Sequence, residues 1–349
     1  MEKPLRIVNS TAPIRVCDNG GWTDTWFARH GKVFNIAVSP CVEVQMKVFP
    51  AGDRPRITIH AENYGDRYSI GTPNGAYTKH PLIEAAIDYM NVPEELAIEV
   101  CIYSEVPAGC STGTSAAVSV ALIGALDSLT PGRMTAYEVA STAQRIETEI
   151  LRQQCGIQDQ LASAYGGINY IDMFEYPHAA VSPVAPPEEV LWELESRLSL
   201  VFVGQTHSSS EVHQTVIRDL EGAGPTAPKL KPLRFTAEKS KDALLRGDFA
   251  ALGAAMVENT EAQRGLHPSL VGPSHQEIIE IAKDYGALGW KVNGAGGAGG
   301  SLTVLGGESR SRMREMLAAI TAANPSYQVI PIRLNHHGLR RWESKAADQ

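Results

Sequence analysis

Pro107-Ala108-Gly109-Cys110-Ser111-Thr112-Gly113-Thr114-Ser115-Ala116-Ala117 is the stretch on which the reading of this chain turns. Gly109 and Gly113 permit backbone geometry that other residues resist. Ser111, Thr112, Thr114 and Ser115 add hydroxyls, and Ser115 to Leu126 follows at once as a segment apolar on nearly every side, the pattern of a buried helix. Several backbone N–H groups and the positive end of a helix dipole then face one small volume, which suits a triphosphate. No lysine follows the last glycine, so the stretch is not a Walker A loop. The plainer alternative is a small-residue turn that packs a helix closely on a strand.

Upstream, Leu96 to Tyr103 alternates as a half-buried strand, with Ala97, Glu99 and Cys101 outward and Ile98, Val100 and Ile102 inward. Arg6 to Val8, Lys32 to Val38, Val42 to Phe49 and Arg56 to His60 also read as strands. Downstream, Ala136 to Gln153 reads as a helix with Val139, Ala143, Ile146 and Ile150 as its apolar stripe. After a break at Cys155-Gly156 a third helix starts at Asp159 and runs to Ala164. Three prolines within Ser182 to Pro187 mark a boundary. It divides the chain into residues 1–183 and 184–349. The second part reads as a strand (Leu198 to Val203), a loop (Gly222 to Pro232), and helices at Arg234 to Leu245, Phe249 to Gln263 and Ser274 to Tyr285. Trp290 to Leu305 is strand–glycine loop–strand. A helix (Ser309 to Ala323) and a strand (Gln328 to Leu334) follow. Without strict βαβ alternation the class is α+β.

Three further constellations carry chemistry. Gly294-Ala-Gly-Gly-Ala-Gly-Gly300, preceded by Lys291, holds five glycines in seven residues, more than a hairpin turn needs. Gly294, Gly296 and Gly297 point to close approach of the backbone to a ligand or to another loop. Glu147 flanks the apolar stripe of its helix, whereas Glu149 lies on the opposite flank above Arg145, where a solvated ion pair explains it. Asp159 is either a helix cap or a general base near a helix terminus. Finally, Arg15 and Asp18 precede Gly20-Gly21-Trp22-Thr23-Asp24. Donors, acceptors and a flat ring around a tight turn suit a polyol, although a surface turn with a solvated ion pair is the commoner use of such residues.

In this order the segments resemble the GHMP kinase superfamily, and the resemblance touches nearly the whole chain. Ala12-Pro13-Ile14-Arg15 through Asp24 is similar to its first motif, Pro107 to Ala117 to its second, and Lys291 to Gly300 to its third. Gly20 to Asp24 and Gly156 to Gly167 resemble the branch of heptose 7-phosphate kinases and fucokinase-like enzymes, which phosphorylate the anomeric hydroxyl. The resemblance implies a fold in which a domain like ribosomal protein S5 domain 2 sits beside a ferredoxin-like domain, with the site in the cleft. It implies ATP and Mg2+ as cofactors, Asp159 as catalytic aspartate and Arg15 near the reacting hydroxyl. Ser115 and Glu147 become magnesium ligands, Asp24 a sugar ligand with Gly20 to Thr23 beside it, and Pro107 to Ala116 the phosphate loop. Should Asp24→Ala leave sugar affinity unchanged, the sugar is read elsewhere, and His207 to His213 is the next stretch to test. The chain departs from the family pattern at Ser111, where a glycine is usual, and at Cys17, usually polar. The rivals are a kinase for a non-sugar alcohol, such as an amino acid, and a catalytically silent sugar- and ATP-binding sensor.

Composition sets the outer bounds. The chain has 349 residues, 43% hydrophobic, with a formal net charge of -8. That suits two domains, and it disfavours nucleic acid and anionic membranes as partners. Five scattered cysteines with no CxxC fit free thiols in a reducing cytoplasm, and no apolar stretch is long enough to span a bilayer. With the resemblance, the expectation is a cytoplasmic monomer or homodimer whose partner is a small sugar or sugar phosphate.

Overall fold

The computed structural model describes residues 3–71, 75–204 and 210–344. Residues 207–209 of the His207 to His213 stretch lie outside them. The chain begins as a long antiparallel hairpin, β1 (Arg6–Asn19) and β2 (Gly31–Pro50). The sequence suggested two strands where β2 runs as one, because β2 takes up the interruption as a bulge against an unbroken β1. Pro13 pairs with Cys41 and Ile14 with Val38, so Ser39 and Pro40 bulge out. A proline without an N–H is thereby kept out of the ladder. A second irregularity decides the chemistry. Val16 pairs with Ile36 and Asn19 with Phe34, so Cys17 and Asp18 share the space opposite Asn35, with Cys17 at φ 55°. Bulges of this kind re-aim side chains, and this one turns Asp18 toward the second half of the chain.

β3 (Ile57–Ala61), β4 (Asp66–Ile70), α1 (Pro81–Met90) and β5 (Leu96–Ser104) follow. Then come α2 (Thr114–Leu126), α3 (Ala136–Arg145) and a π-helical turn, Ile146–Ile150, in which the Leu151 amide reaches back to the Ile146 carbonyl at 3.0 Å. α4 (Gln158–Tyr165), β6 (Ile168–Glu175) and β7 (His178–Pro183) complete the first half. The first sheet runs β4-β3-β5-β2-β1, with β6 and β7 added where β2 extends past β5. α2 is buried along almost its whole length between this sheet and α1, α3 and α4, as its all-round apolar sequence requires.

After the prolines come α5 (Glu188–Arg197), β8 (Leu198–Phe202), α6 (Ser210–Ala223), α7 (Leu230–Leu245), α8 (Phe249–Leu266) and α9 (Pro273–Asp284). β9 (Gly289–Val292), β10 (Ser301–Leu305), α10 (Arg310–Ala323), β11 (Gln328–Ile330), β12 (Arg333–Leu334) and β13 (Arg340–Ser344) close the chain. The second sheet is antiparallel, in the order β11-β8-β10-β9. The expected loop at Gly222 to Pro232 shrinks to the few residues between α6 and α7, since Pro232 sits in the first turn of α7, where its missing N–H has no helical partner. The expected strand Gln328 to Leu334 is two: β11 stays in the second sheet, while β12 pairs with β2 and β13 with β1. Residues 333–344 therefore return to the first sheet, and a division at 183/184 leaves these two strands with the wrong half.

The architecture is thus α+β with two sheets. The turn between β1 and β2 joins them. Trp22, Phe27 and Ala28 pack in one apolar cluster with Val216, Ile217, Leu220, Leu230 and Leu233 of α6 and α7. No helix among the described residues is long and apolar enough to cross a membrane.

Candidate active site

The bulge, the phosphate-type loop and the third glycine loop converge on Arg15. Its side chain is 3% exposed; Nε donates to Asp159 Oδ1 at 2.8 Å and Nη2 to Asp159 Oδ2 at 3.3 Å, while Nη1 donates to the Ser111 carbonyl. Its own amide donates to Thr112 O at 2.9 Å, which ties β1 to the loop. Burial works against the guanidinium charge, but Asp159 and Asp18 outweigh it and hold the charge more firmly than usual. Asp159 is the second residue of α4 and caps nothing: the N-cap position belongs to Ile157, and the aspartate turns instead to Arg15.

Asp18 is fully buried, not part of a solvated surface pair. It accepts from the Gly294 amide with both oxygens, at 3.0 and 3.2 Å, and lies 3.2 Å from Lys291 Nζ and 3.9 Å from Arg15. Burial opposes its ionisation, but Lys291 and Arg15 more than offset this and draw its carboxyl below the ordinary range. Lys291, 1% exposed, also donates to Gln263 Oε1 at 3.1 Å and to the Val292 carbonyl. The lysine ahead of the glycine loop therefore holds Asp18 and is not among the residues that line the two cavities at this site. The glycine loop is tight against its neighbours: a Cβ on Gly294 would come within 3.0 Å of Ser111 O, and one on Gly296 within 2.2 Å of Leu270 O. Gly297 N–H donates to that same Leu270 carbonyl at 2.9 Å.

In the phosphate-type loop Gly109, Ser111 and Gly113 all have positive φ, of 78°, 60° and 72°. Ser111, which stands where the resemblance has a glycine, adopts a left-handed conformation that glycine takes without strain. No side chain caps α2 at Gly113, which leaves its first amides facing the cleft. A Cβ on Gly113 would lie 3.1 Å from Asp159 Cγ, so the start of α2 and the aspartate are in contact by design of that glycine.

Two cavities meet here. One, of about 630 Å³, runs from the loop over residues 108–115 to an apolar end formed by Tyr64, His80, Leu82, Ile102 and Val106. The Asn63 amide group pairs with the backbone of Ser104 at that end, through bonds of 2.6 and 2.8 Å. The other, of about 490 Å³, is lined by Trp22, Trp26, Phe27, Asp18, Asp24, Glu147, Gln154, Gln160 and Gln214. Arg15, Ser115, Asp159, Gly294 and Ala295 border both. The sequence contained no signal for Asn63, Tyr64, His80 and Leu82, since they come from a turn and a helix start with no motif. Pro107 lies just outside the first cavity, and Ala116 lines the second. Of the Gly20–Asp24 turn, Trp22 and Asp24 line the second cavity. Gly20, Gly21 and Thr23 do not: Gly20 N–H is held by Asn259 at 2.7 Å and Thr23 Oγ1 by the Gly20 carbonyl at 2.7 Å, so they build the turn.

Asp24 is committed in part to structure. Its Oδ2 accepts the Ile157 and Gln158 amides, each at 3.1 Å, which caps α4 from outside, and a Cβ on Gly156 would strike that oxygen at 2.0 Å. Burial, and then Asp159, push its carboxyl up to about 6. Glu147, placed by the π turn, is 6% exposed and accepts from Gln160 Nε2 at 2.8 Å. Among the described residues it has no cationic partner, and burial pushes it up to about 7. Glu149 is solvated, 3.7 Å from Arg145. A buried carboxylate without a counter-charge, with the Ser115 hydroxyl bordering the same cavity, fits a divalent cation that takes its remaining ligands from phosphates and water. Cys17 is buried, which pushes its thiol up to about 12; it contributes its amide to Asn293 Oδ1 at 3.1 Å.

Family models describe the chain in two places: "GHMP kinases N terminal domain" matches residues 81–167 and "GHMP kinases C terminal" residues 240–326. The chain is 28% identical to the D-glycero-alpha-D-manno-heptose 7-phosphate kinase of Campylobacter jejuni, over 58% of this chain and 60% of that one. It is also 28% identical to the bifunctional fucokinase/GDP-fucose pyrophosphorylase of Arabidopsis thaliana, over 83% of this chain but 29% of that one. It is 31% identical to the mevalonate kinase of Thermococcus gammatolerans, over 70% and 68% of the two chains. The chain thus spans less than two thirds of the heptose kinase and about a third of the fucokinase relatives it matches. Among solved structures, a D-glycero-D-manno-heptose 1-phosphate kinase from Bacteriodes thetaiotaomicron superposes with TM-score 0.73 over 96% of this chain and 98% of its own, at 23% identity, which shows a shared fold.

Proposed function

This chain belongs to the GHMP kinase family, and from that premise we propose that it is an ATP- and Mg2+-dependent kinase that transfers the γ-phosphoryl group to a sugar, at the anomeric hydroxyl. The observation that carries the reading is the pair of cavities sharing Arg15, Ser115, Asp159 and Gly294. A nucleotide in the first, with its base against Tyr64 and Leu82, sends its terminal phosphate over the start of α2 toward that border. An acceptor in the second brings a hydroxyl to the same point from the opposite side, the in-line arrangement that phosphoryl transfer needs.

The uncapped amides of α2 donate to the phosphates and share the charge that develops on them. Ser115 and Glu147 would hold Mg2+, which would supply further neutralisation of the phosphate oxygens. Asp159, fixed from behind by Arg15, orients the acceptor hydroxyl and accepts its proton. An anomeric hydroxyl is more acidic than an ordinary alcohol, so a modest base suffices. Trp22, Trp26 and Phe27 give a flat apolar wall for a sugar ring, and Asp24 and the glutamines give acceptors and donors for its hydroxyls. Arg15 is the one lysine or arginine among the described residues that line this cavity, and its guanidinium is committed to Asp159 and Ser111. That favours a free sugar over a sugar phosphate.

The test is ADP release over a panel of free sugars, heptose 7-phosphate, mevalonate and homoserine. The expected result is release with a free sugar and a product whose phosphate is lost in mild acid, as a glycosyl phosphate is. Release with mevalonate or homoserine alone makes the acceptor a non-sugar alcohol. Release with none of them, despite ATP binding, makes the chain a sensor.

A further inference from the structure

Outside the cleft, the outer face of the first sheet gathers three metal-binding side chains. His60 of β3 and Cys101 of β5 are direct partners in the parallel register. Their neighbours Ala61 and Ile102 line the nucleotide-type cavity, so alternation along the strands sends His60 and Cys101 to the opposite face. Glu62 follows β3 in a short 3-10 turn and folds back over them. Cys101 Sγ lies 3.5 Å from His60 Nδ1 and 2.7 Å from Glu62 Oε1, and the latter two are 3.9 Å apart.

We infer that His60, Glu62 and Cys101 form a surface site for one Zn2+-type divalent cation, with its fourth position open to water. A thiol, an imidazole and a carboxylate are the donor types zinc takes. Bond lengths of about 2.3 Å to sulfur, ~2.0 Å to nitrogen and ~2.1 Å to oxygen make the edges of a tetrahedron about 3.4–3.6 Å. The sulfur–nitrogen separation already has that value. The two separations involving Glu62 straddle it, one short and one long, and both are corrected by moving one carboxylate oxygen. Glu62 is free to do this, its side chain being 43% exposed. Thiolate and carboxylate together balance a dication. The nearby Arg67, opposite His60 in the β3–β4 pair, turns its guanidinium toward Glu99 at 3.9 Å. Lys47, across from Glu99 on β2, also lies within electrostatic reach of Cys101 and opposes the metal. A thiolate in the set selects a borderline-soft ion over Mg2+, so the site is distinct from Ser115 and Glu147.

The experiment titrates the chelator-stripped, full-length protein with Co2+ as the probe. One equivalent is expected to produce a thiolate-to-cobalt charge-transfer band and intense ligand-field bands of a four-coordinate ion, and Zn2+ is expected to bleach them. Cys101→Ser should abolish the charge-transfer band, His60→Ala should weaken binding more than about tenfold, and Cys41→Ser should keep both signals. Each variant is melted in parallel to show that it is folded. Absence of a stoichiometric band in the wild type, or a band that survives Cys101→Ser in the folded protein, overturns the assignment and leaves the three groups a hydrogen-bonded cluster.

Discussion

Replacing Asp159 by Asn changes charge and proton affinity while keeping shape, so its cost can be worked from the contacts. The aspartate gives one oxygen to Arg15 Nε at 2.8 Å and the other to Nη2 at 3.3 Å. An asparagine turns its oxygen to Nε and loses the longer bond, because its NH2 cannot accept. A hydrogen bond between charged groups contributes about 1.5–3 kcal/mol, but Arg15 keeps Asp18 at 3.9 Å and Ser111 O. Loss of the Asp159 charge also relieves Asp24 and Glu147, whose carboxyls it helps to push up. The net change in stability should therefore stay within about 2 kcal/mol. The rate should respond far more: losing a positioned proton acceptor costs on the order of 10²–10⁴-fold, a barrier increase of about 2.7–5.4 kcal/mol. Steady-state kinetics with the sugar found in the panel, nucleotide binding by calorimetry and urea unfolding measure the three parts. ATP affinity should stay within a few-fold. Turnover within tenfold of wild type in a folded Asp159→Asn protein would refute the reasoning, and Asp159 would then only position Arg15.

Glu147→Gln should raise the Mg2+ concentration needed for half-maximal rate at least about tenfold, whereas Glu149→Gln should leave it within about twofold; equal effects remove Glu147 from the metal. Asp18→Asn strands Lys291, which is 1% exposed, and should cost about 3–5 kcal/mol in urea unfolding. Adding Lys291→Met should restore most of this, and a single-variant cost below about 1 kcal/mol would mean that the pair is solvated. Asp24 binds a proton in the folded state that the unfolded chain has already released, because its folded value is about 6 against an ordinary value of 3.8. Its contribution to stability is present below about pH 4 and declines as pH rises through 6, by a total on the order of 2–3 kcal/mol. Asp24→Asn keeps an oxygen for the Ile157 and Gln158 amides and should flatten that decline in melting temperature between pH 4 and 7, while Asp24→Ala should lower stability at every pH.

Much of the site was legible residue by residue. The loop at 107–117 announced itself through glycines where the backbone turns left-handed and through an all-apolar helix behind it. Glu147 and Glu149 were separable by helical phase alone, and the π turn left that phase intact at Glu147. Asp159 was ambiguous, since a carboxylate in the first turn of a helix serves equally as cap or base, and its bond to Arg15, 144 residues away, rules out only the cap. The first β1–β2 bulge and the return of β12 and β13 were not legible, because a register is a property of two strands and the partner's offset is not written in either one.

The sequence by itself determined the family, the order of the motifs and the α+β class, which rest on patterns within each segment and on their order along the chain; where glycine is obligatory also depends on distant groups, as at Gly156 against Asp24 and Gly294 against the Ser111 carbonyl. Tertiary structure alone decided which polar groups are buried and with whom. Asp18, Asp24 and Lys291 look like surface charges in sequence, yet Asp24 closes α4 from 134 residues away and Asp18 meets the Gly294 amide from 276 residues away. Burial and counter-charge set the protonation and the role of an ionisable group, and both are supplied by residues that only the folded chain brings together.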